Sequence, residues 1–306
     1  MLELLKKASP HATPQTLKVY LTSIKRLYKT ISNSDVPKNG TWLVNPELKK
    51  KVKALPLGTR RSLNSGALIA SKMWDLKKAR EYWAKEVETD STEYDKKRSS
   101  NKASEKEKEN WTGYAALKKA STEYKRSIGR IFKNPDYTTK SLFLYTKYVC
   151  VRFYSTYAFR NELATVKLEG GSNDNLLIKK KGGTFKVALR QHKTSRKVGT
   201  LEVDIDKNVS KVLKRYIKYR SKVPQVTHKF LLSNSRGAPL SQRMLGNILR
   251  EITSRFLGKR FATRQLRIMQ ATADSELIKK AQEAAKKQLH SIKQHGEYAR
   301  KIKDKN

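Results

Sequence analysis

Six side chains in the second half of this sequence have the types that metal-free cleavage of a phosphodiester demands: Arg160, Lys193, Arg264, Arg267, His290 and Tyr298. Breaking that bond without a metal takes a nucleophile that can hold the phosphate covalently. Fixed positive donors must surround the crowded, negatively charged transition state. Arginine suits that task, because its planar fork matches phosphate oxygens and its charge is permanent. An acid must protonate the departing oxygen, and another group must take the nucleophile's proton. Arginines, a lysine, a histidine and a tyrosine can supply all of this. His290 follows Arg267 by 23 residues, and Tyr298 follows His290 by eight.

Composition points to the same kind of partner. The 306 residues carry 68 Lys and Arg against 27 Asp and Glu, a formal net charge of +41. Such an excess does not fit an enzyme of small neutral molecules and implies a polyanion, nucleic acid first and a membrane surface second. No run of about 18 apolar residues exists to span a membrane. The most apolar stretch, Ser141 to Phe159, is broken by Lys147 and Arg152. The first residues, Met1 to Lys7, lack the apolar core and cleavage site of a signal peptide. The single cysteine, Cys150, rules out an internal disulfide framework or a multi-cysteine zinc site, and it fits a reducing compartment. Five scattered histidines show no metal-ligand spacing, and no Gly-rich phosphate-binding loop is present. Neither a metal nor a nucleotide cofactor is therefore expected.

The elements that must position these side chains fall into two parts. The first hundred residues read as helical. Thr13-Pro14 caps a helix from Gln15 to Ile31, with Leu17, Tyr20, Leu21, Ile24, Leu27, Tyr28 and Ile31 on one face. Lys18, Lys25, Arg26 and Lys29 occupy the other face and are the candidate DNA contacts, although a solvated surface would explain any one of them. Further helices are expected from Arg60 or Ser62 to Trp74 and from Leu76 through Val87. Residues 96–110 are polar, mixed in charge and nearly free of apolar side chains, the pattern of a linker or a solvated helix end. Trp111 restarts the apolar pattern, which divides the chain into a helical domain (1–95) and a second domain (111–306). That second domain is expected to be mainly α with a small β-sheet. Helices cover Thr112 to Arg130 and Thr139 to Phe159, then strands Asn175 to Ile178, Phe185 to Leu189 and Gly199 to Ile205, then helices Ser241 to Leu257 and Arg264 to Gln288. Turns are expected at Gly182-Gly183 and from His192 to Gly199.

Several stretches of this second domain resemble the tyrosine recombinase (integrase) family. Tyr157-Ala-Phe-Arg160-Asn-Glu-Leu163, behind the apolar helix Leu142 to Phe159, is similar to the family's first arginine box. His192-Lys193-Thr194 through Thr200 is similar to the β-hairpin that presents its catalytic lysine. Thr263-Arg264-Gln-Leu-Arg267 resembles the His-x-x-Arg box, and Leu289-His290-Ser291 the Gly-His-Ser box, with Tyr298 near the usual place of the nucleophile. The first two elements and Glu105 to Trp111 are closest in flavour to integrases of eukaryotic DNA viruses and related mobile elements. The resemblance runs from about Trp111 to the C-terminus, and Lys18 to Leu21 resembles the family's N-terminal core-binding domain more weakly. Three positions depart from the pattern: Arg-Asn-Glu-Leu is one residue shorter than the common bacterial Arg-x-x-Glu-Leu, Arg264 replaces a histidine, and Leu289 replaces a glycine.

The resemblance implies an α+β catalytic domain of the DNA breaking-rejoining fold and an all-α, SAM-like core-binding domain, together a C-shaped clamp on duplex DNA. It implies site-specific recombination or integration through a 3′-phosphotyrosine, by four protomers on two duplexes, in the nucleus or another DNA-containing compartment. Arg160 and Arg267, assisted by Arg264, would hold the scissile phosphate. Lys193 would protonate the leaving 5′-oxygen, His290 would orient or deprotonate, and Tyr298 would attack. Alternatives stay open. Arg160 can pair with Glu162, and Lys186, Arg196 or Lys197 can replace Lys193. Arg264 and His290 can be structural, and His295 incidental. Tyr298 is one of 14 tyrosines, of which Tyr124, Tyr154 and Tyr157 are poorer fits. A type IB topoisomerase, acting as a monomer that reseals the same strand, shares the residue set. A non-catalytic basic DNA-binding protein shares the composition.

Overall fold

Thr13 opens the first long helix as its sequence suggests: the hydroxyl accepts a hydrogen bond from the Thr16 amide at 3.2 Å, and Pro14 occupies the first helical position. The computed structural model of the protein describes residues 1–100 and 102–287, which divide into two compact units, one ending at Ala103 and one beginning at Ser104.

The first unit is all helical: α1 (Leu2–Ala8), α2 (Pro14–Tyr28), α3 (Pro46–Lys53), α4 (Leu57–Met73) and α5 (Lys77–Ser99). Leu17, Ile24 and Leu27 of α2 are buried with Leu63, Ala67 and Ala70 of α4 and Trp83 of α5. Each large apolar side chain there contributes roughly 1.5–3 kcal/mol by leaving water. α2 and α4 approach so closely at Gly66 that an added Cβ would lie 2.7 Å from the Ser23 Cβ.

Two elements differ from expectation for identifiable reasons. α3 is signalled by Asn45-Pro46-Glu47, where the Asn45 side chain accepts from the Glu47 amide at 2.8 Å. α5 runs twelve residues past Val87 because Asp90, although charged, is buried and fully used. It accepts from Arg60 Nε at 2.6 Å and from Asn64 Nδ2 at 2.9 Å, while Glu93 takes a second Arg60 nitrogen at 2.5 Å.

The second unit contains α6 (Glu105–Glu109), α7 (Ala116–Ser127), α8 (Arg130–Lys133), α9 (Thr139–Tyr154), a 3₁₀ turn (Asn161–Thr165), β1 (Leu176–Lys179), β2 (Phe185–Leu189), α10 (Ser195–Val198), β3 (Leu201–Ile205), α11 (Lys207–Arg220), α12 (Gln242–Leu257) and α13 (Thr263–Lys287). It is mainly helical with one antiparallel meander, β1-β2-β3, in register Leu177↔Val187↔Val203. Phe185, Val187 and Leu189 alternate inward, as a strand with one covered face requires. α9 is the centre of the core: Leu142, Val149, Cys150, Val151, Phe153 and Tyr154 are all buried, so α9 is covered on nearly every side by neighbouring helices. No helix among the described residues is long and apolar enough to cross a membrane.

The polar segment 96–110 is mostly not an extended linker. Its first residues finish α5, and α6 forms through a capping box. The Ser104 hydroxyl accepts from the Glu107 amide at 3.3 Å, and the Glu107 carboxylate accepts the Ser104 amide at 2.9 Å. α6 is then fastened to the α12–α13 connection. Lys259 Nζ donates to the Glu109 carbonyl at 2.6 Å, and the Arg260 amide donates to the Asn110 side chain at 2.8 Å.

Candidate functional site

The chain reverses direction at the end of α9, and the reversal places the first arginine. The buried Tyr154 hydroxyl donates to the Arg160 carbonyl, while the Tyr114 hydroxyl donates to the Tyr154 carbonyl at 2.7 Å. Arg160 thus sits in extended backbone at the start of the 3₁₀ turn. The next residue, Asn161, accepts the Thr263 hydroxyl at 2.9 Å, which ties the turn to the first residue of α13. Arg264 and Arg267 stand one turn apart on one face of that helix.

These contacts bring Arg160, Arg264 and Arg267 into one electrostatic neighbourhood. Burial pushes the Arg267 guanidinium below its ordinary pKa, and the positive charges of Arg160 and Arg264 push it the same way, against Glu162 and Tyr154. Among the described residues, neither Arg160 nor Arg267 forms an ion pair. The helix-end pair between Arg160 and Glu162 does not form, although Glu162 is buried. Arg267 Nε is buried without a hydrogen-bond partner, as is Gln265 Nε2. Arg264 is 79% exposed and reaches Glu107 only at a long 3.4 Å. Glu107 in turn has its carboxyl held below the ordinary value, mainly by its hydrogen bonds from Ser104 and less by Arg264.

Lys193 lies in the connection between β2 and β3, exposed and without a hydrogen bond or ion pair among the described residues. The connection is held by His192, whose ring nitrogens meet Thr194 Oγ1 at 3.2 Å and the Gly199 carbonyl at 2.9 Å. Gly199 has φ +73, a conformation that favours glycine. A short helix, α10, carries Arg196 and Lys197 within what the sequence presents as a turn. Lys186 is bound to Glu202 at 2.8 Å across the sheet, whereas Lys193 is free of such a tie.

His290, His295 and Tyr298 lie outside the described residues. The other tyrosines weighed as nucleophiles have structural tasks. Tyr124 is buried and its hydroxyl donates to the Leu144 carbonyl at 3.4 Å. Burial raises the pKa of Tyr154 far above the ordinary phenol value. Tyr157 accepts the Asp206 amide at 2.8 Å and donates toward the Asp204 carbonyl and the Asp206 carboxylate. In the first unit, Lys18, Lys25, Arg26 and Lys29 are exposed on or just beyond α2, and none is in an ion pair among the described residues.

Arg160 and Arg267, with donors unused among the described residues, and Arg264, held only by a long contact to Glu107, can bind an oxyanion through several charge-assisted hydrogen bonds. Asn161 and Thr263, to which the sequence reading gave no role, lock the turn to the helix; Tyr154 and Glu162, weighed there as a nucleophile and as a partner of Arg160, instead set the Arg160 backbone and act on the charge of Arg267. The Ser104-x-x-Glu107 spacing was the one advance sign that Glu107 would reach this region. Among the described residues, no group of three or more His, Cys, Asp or Glu side chains could hold a metal ion. The sequence matches no protein-family model and no curated protein.

Proposed function

We propose that this protein cuts and rejoins DNA strands through a covalent 3′-phosphotyrosine, as a site-specific tyrosine recombinase, with Tyr298 as nucleophile. The reading is supported above all by Arg160 and Arg267, which form no ion pair among the described residues, beside Arg264 and with Arg267 Nε buried and unpartnered. A partly buried guanidinium is costly unless an anion completes it, and a scissile phosphate is such an anion. The unit beginning at Ser104 would then have the DNA breaking-rejoining fold, and the helical unit before it would be the SAM-like core-binding domain.

In the reaction, Arg160 and Arg267 grip the non-bridging phosphate oxygens, and Arg264 adds charge from the exposed side. The Tyr298 phenolic oxygen attacks phosphorus while its proton passes to His290. The bond to the 5′-oxygen breaks, and Lys193 supplies the proton that this oxygen takes. The phosphotyrosine stores the bond energy, so a 5′-hydroxyl of a partner strand can reverse the step without ATP. Duplex DNA is the partner, with four protomers acting on two duplexes in the nucleus or another DNA-containing compartment. The chain would serve integration or recombination of a mobile or viral DNA.

The test uses a nicked duplex that loses its 5′-hydroxyl strand after cleavage, followed by denaturation in detergent. Wild type should trap a protein–DNA adduct and then transfer it to an added strand. Removal of one phosphate donor, as in Arg267→Gln, should slow adduct formation by about 10²–10³-fold. Tight binding with no adduct on any substrate would sink the proposal. Supercoil relaxation by a monomer without strand transfer would replace recombinase by topoisomerase.

A further inference from the structure

A cleft of about 460 Å³ opens between α7, α8, α9 and α11 of the second unit, within the range of small-molecule sites, ~300–1,000 Å³. It is separate from the arginine cluster: Tyr148, which lines it, precedes Tyr154 on α9 by roughly 9 Å of helix rise. Its floor is aromatic. Phe132 packs edge-on against Tyr145 at 4.9 Å between ring centroids, and Tyr145 and Tyr148 are stacked at 6.2 Å. Its rim is cationic, formed by Lys125, Arg215, Lys218 and Lys222, none of which is in an ion pair among the described residues.

Three further observations bear on a ligand. Tyr145 and Tyr148 line the cleft with their rings largely buried, and their hydroxyls, without a hydrogen-bond partner among the described residues, open into it. Arg215 lies close enough to both phenols to act against the rise in pKa that burial causes. Tyr137 has φ +50, a left-handed conformation that is costly for a bulky residue and tends to persist at ligand sites. Its hydroxyl accepts Lys222 Nζ at 3.1 Å, and its ring packs on Tyr219 at 4.9 Å. The nearby carboxylate, Asp136, is already taken up by the hydroxyls of Ser141, Thr138 and Tyr219.

We propose that this cleft binds an unpaired nucleotide, its base against Phe132, Tyr145 and Tyr148 and its phosphate on Arg215 and Lys222. A flat ring satisfies the aromatic floor, its polar edge can pair with the two open phenols, and the phosphate meets the rim charges. Neither a bare anion nor an apolar molecule would use all three features. The inference does not rest on the recombinase reading, since it invokes none of the six residues assigned to that chemistry.

The full chain is titrated calorimetrically with adenosine 5′-monophosphate, ribose 5-phosphate and adenosine. Adenosine monophosphate should bind at least about tenfold tighter than either fragment, because only it engages both floor and rim. Arg215→Ala, an exposed position, should weaken that binding about tenfold, and Tyr148→Phe, which keeps the ring, about threefold. An oligothymidylate distinguishes the sources. Mutual competition with the mononucleotide assigns the cleft to an unpaired base of a strand. Mononucleotide binding without competition assigns it to a free nucleotide. Equal affinity for ribose 5-phosphate, or unchanged affinity in Arg215→Ala, overturns the proposal. Arg215→Ala should still form the DNA adduct, so failure of the cleft and failure of the catalytic reading are separately visible.

Discussion

At the scale of single residues, Arg267 decides most. It is held among Arg160, Arg264 and the buried Glu162, with its Nε unpartnered. Its lowered pKa means that burial and the repulsion of Arg160 and Arg264 outweigh the attraction of Glu162, so the charge costs the free protein stability. Arg267→Met keeps the volume and removes the repulsion. It should stabilise the fold by about 1 kcal/mol, or about 2–4 °C in thermal midpoint, while abolishing the stabilisation that added phosphate gives wild type. A lower midpoint for this variant would mean that the guanidinium is structural. Arg267 was legible in the sequence because an arginine flanked by apolar helix residues is expensive without a purpose. The absence of an Arg160–Glu162 pair was not legible, since two residues apart in sequence says nothing about side-chain direction in a 3₁₀ turn.

At the scale of elements, the informative piece is α6. Its composition reads as solvated chain, and that composition is real, but Ser104 and Glu107 close a capping box whose four-residue pattern outweighs the lack of apolar side chains. Ser104→Ala should cost about 1 kcal/mol. Glu107 adds a pH dependence with a definite sign. Its folded pKa lies below the reference value of 4.5, so its contribution is complete above that value and is lost as pH falls through the folded pKa. The urea-midpoint gap between wild type and Ser104→Ala should therefore be wide near pH 7 and narrow as the pH falls through the lowered pKa of Glu107. A gap that does not change with pH would remove Glu107 from the box. The strands and α12 were legible to within two residues, because β-branched alternation and the Ser241 cap are local signals. The extension of α5 was not, since it depends on Asp90 meeting Arg60 and Asn64 from another helix.

At the scale of the whole molecule, the two units and the charge of +41 govern behaviour. The boundary falls at Ala103, inside the polar stretch that composition marked, and Lys102 is exposed there between α5 and α6. Limited trypsin digestion should separate the two units by a cut near Lys102, exposed between α5 and α6, with the exposed lysines of the β1–β2 turn and the β2–β3 connection as the competing sites in the second unit. Early cuts within α4 or α9 would contradict two compact units. DNA affinity should fall by ~10³–10⁵-fold between about 50 and 200 mM salt if six to ten phosphates are neutralised. Replacing Lys18, Lys25, Arg26 and Lys29 together should flatten that slope, and an unchanged slope would move the DNA contact off α2.

The central claim is that a tyrosine near the end of the chain takes the phosphate held by the three arginines. Mass spectrometry of the detergent-resistant adduct from the nicked duplex tests it most directly. The account predicts a nucleotide mass on Tyr298, and no adduct from Tyr298→Phe despite nearly unchanged DNA binding. An adduct on any other residue, or a normal yield from Tyr298→Phe, would contradict it.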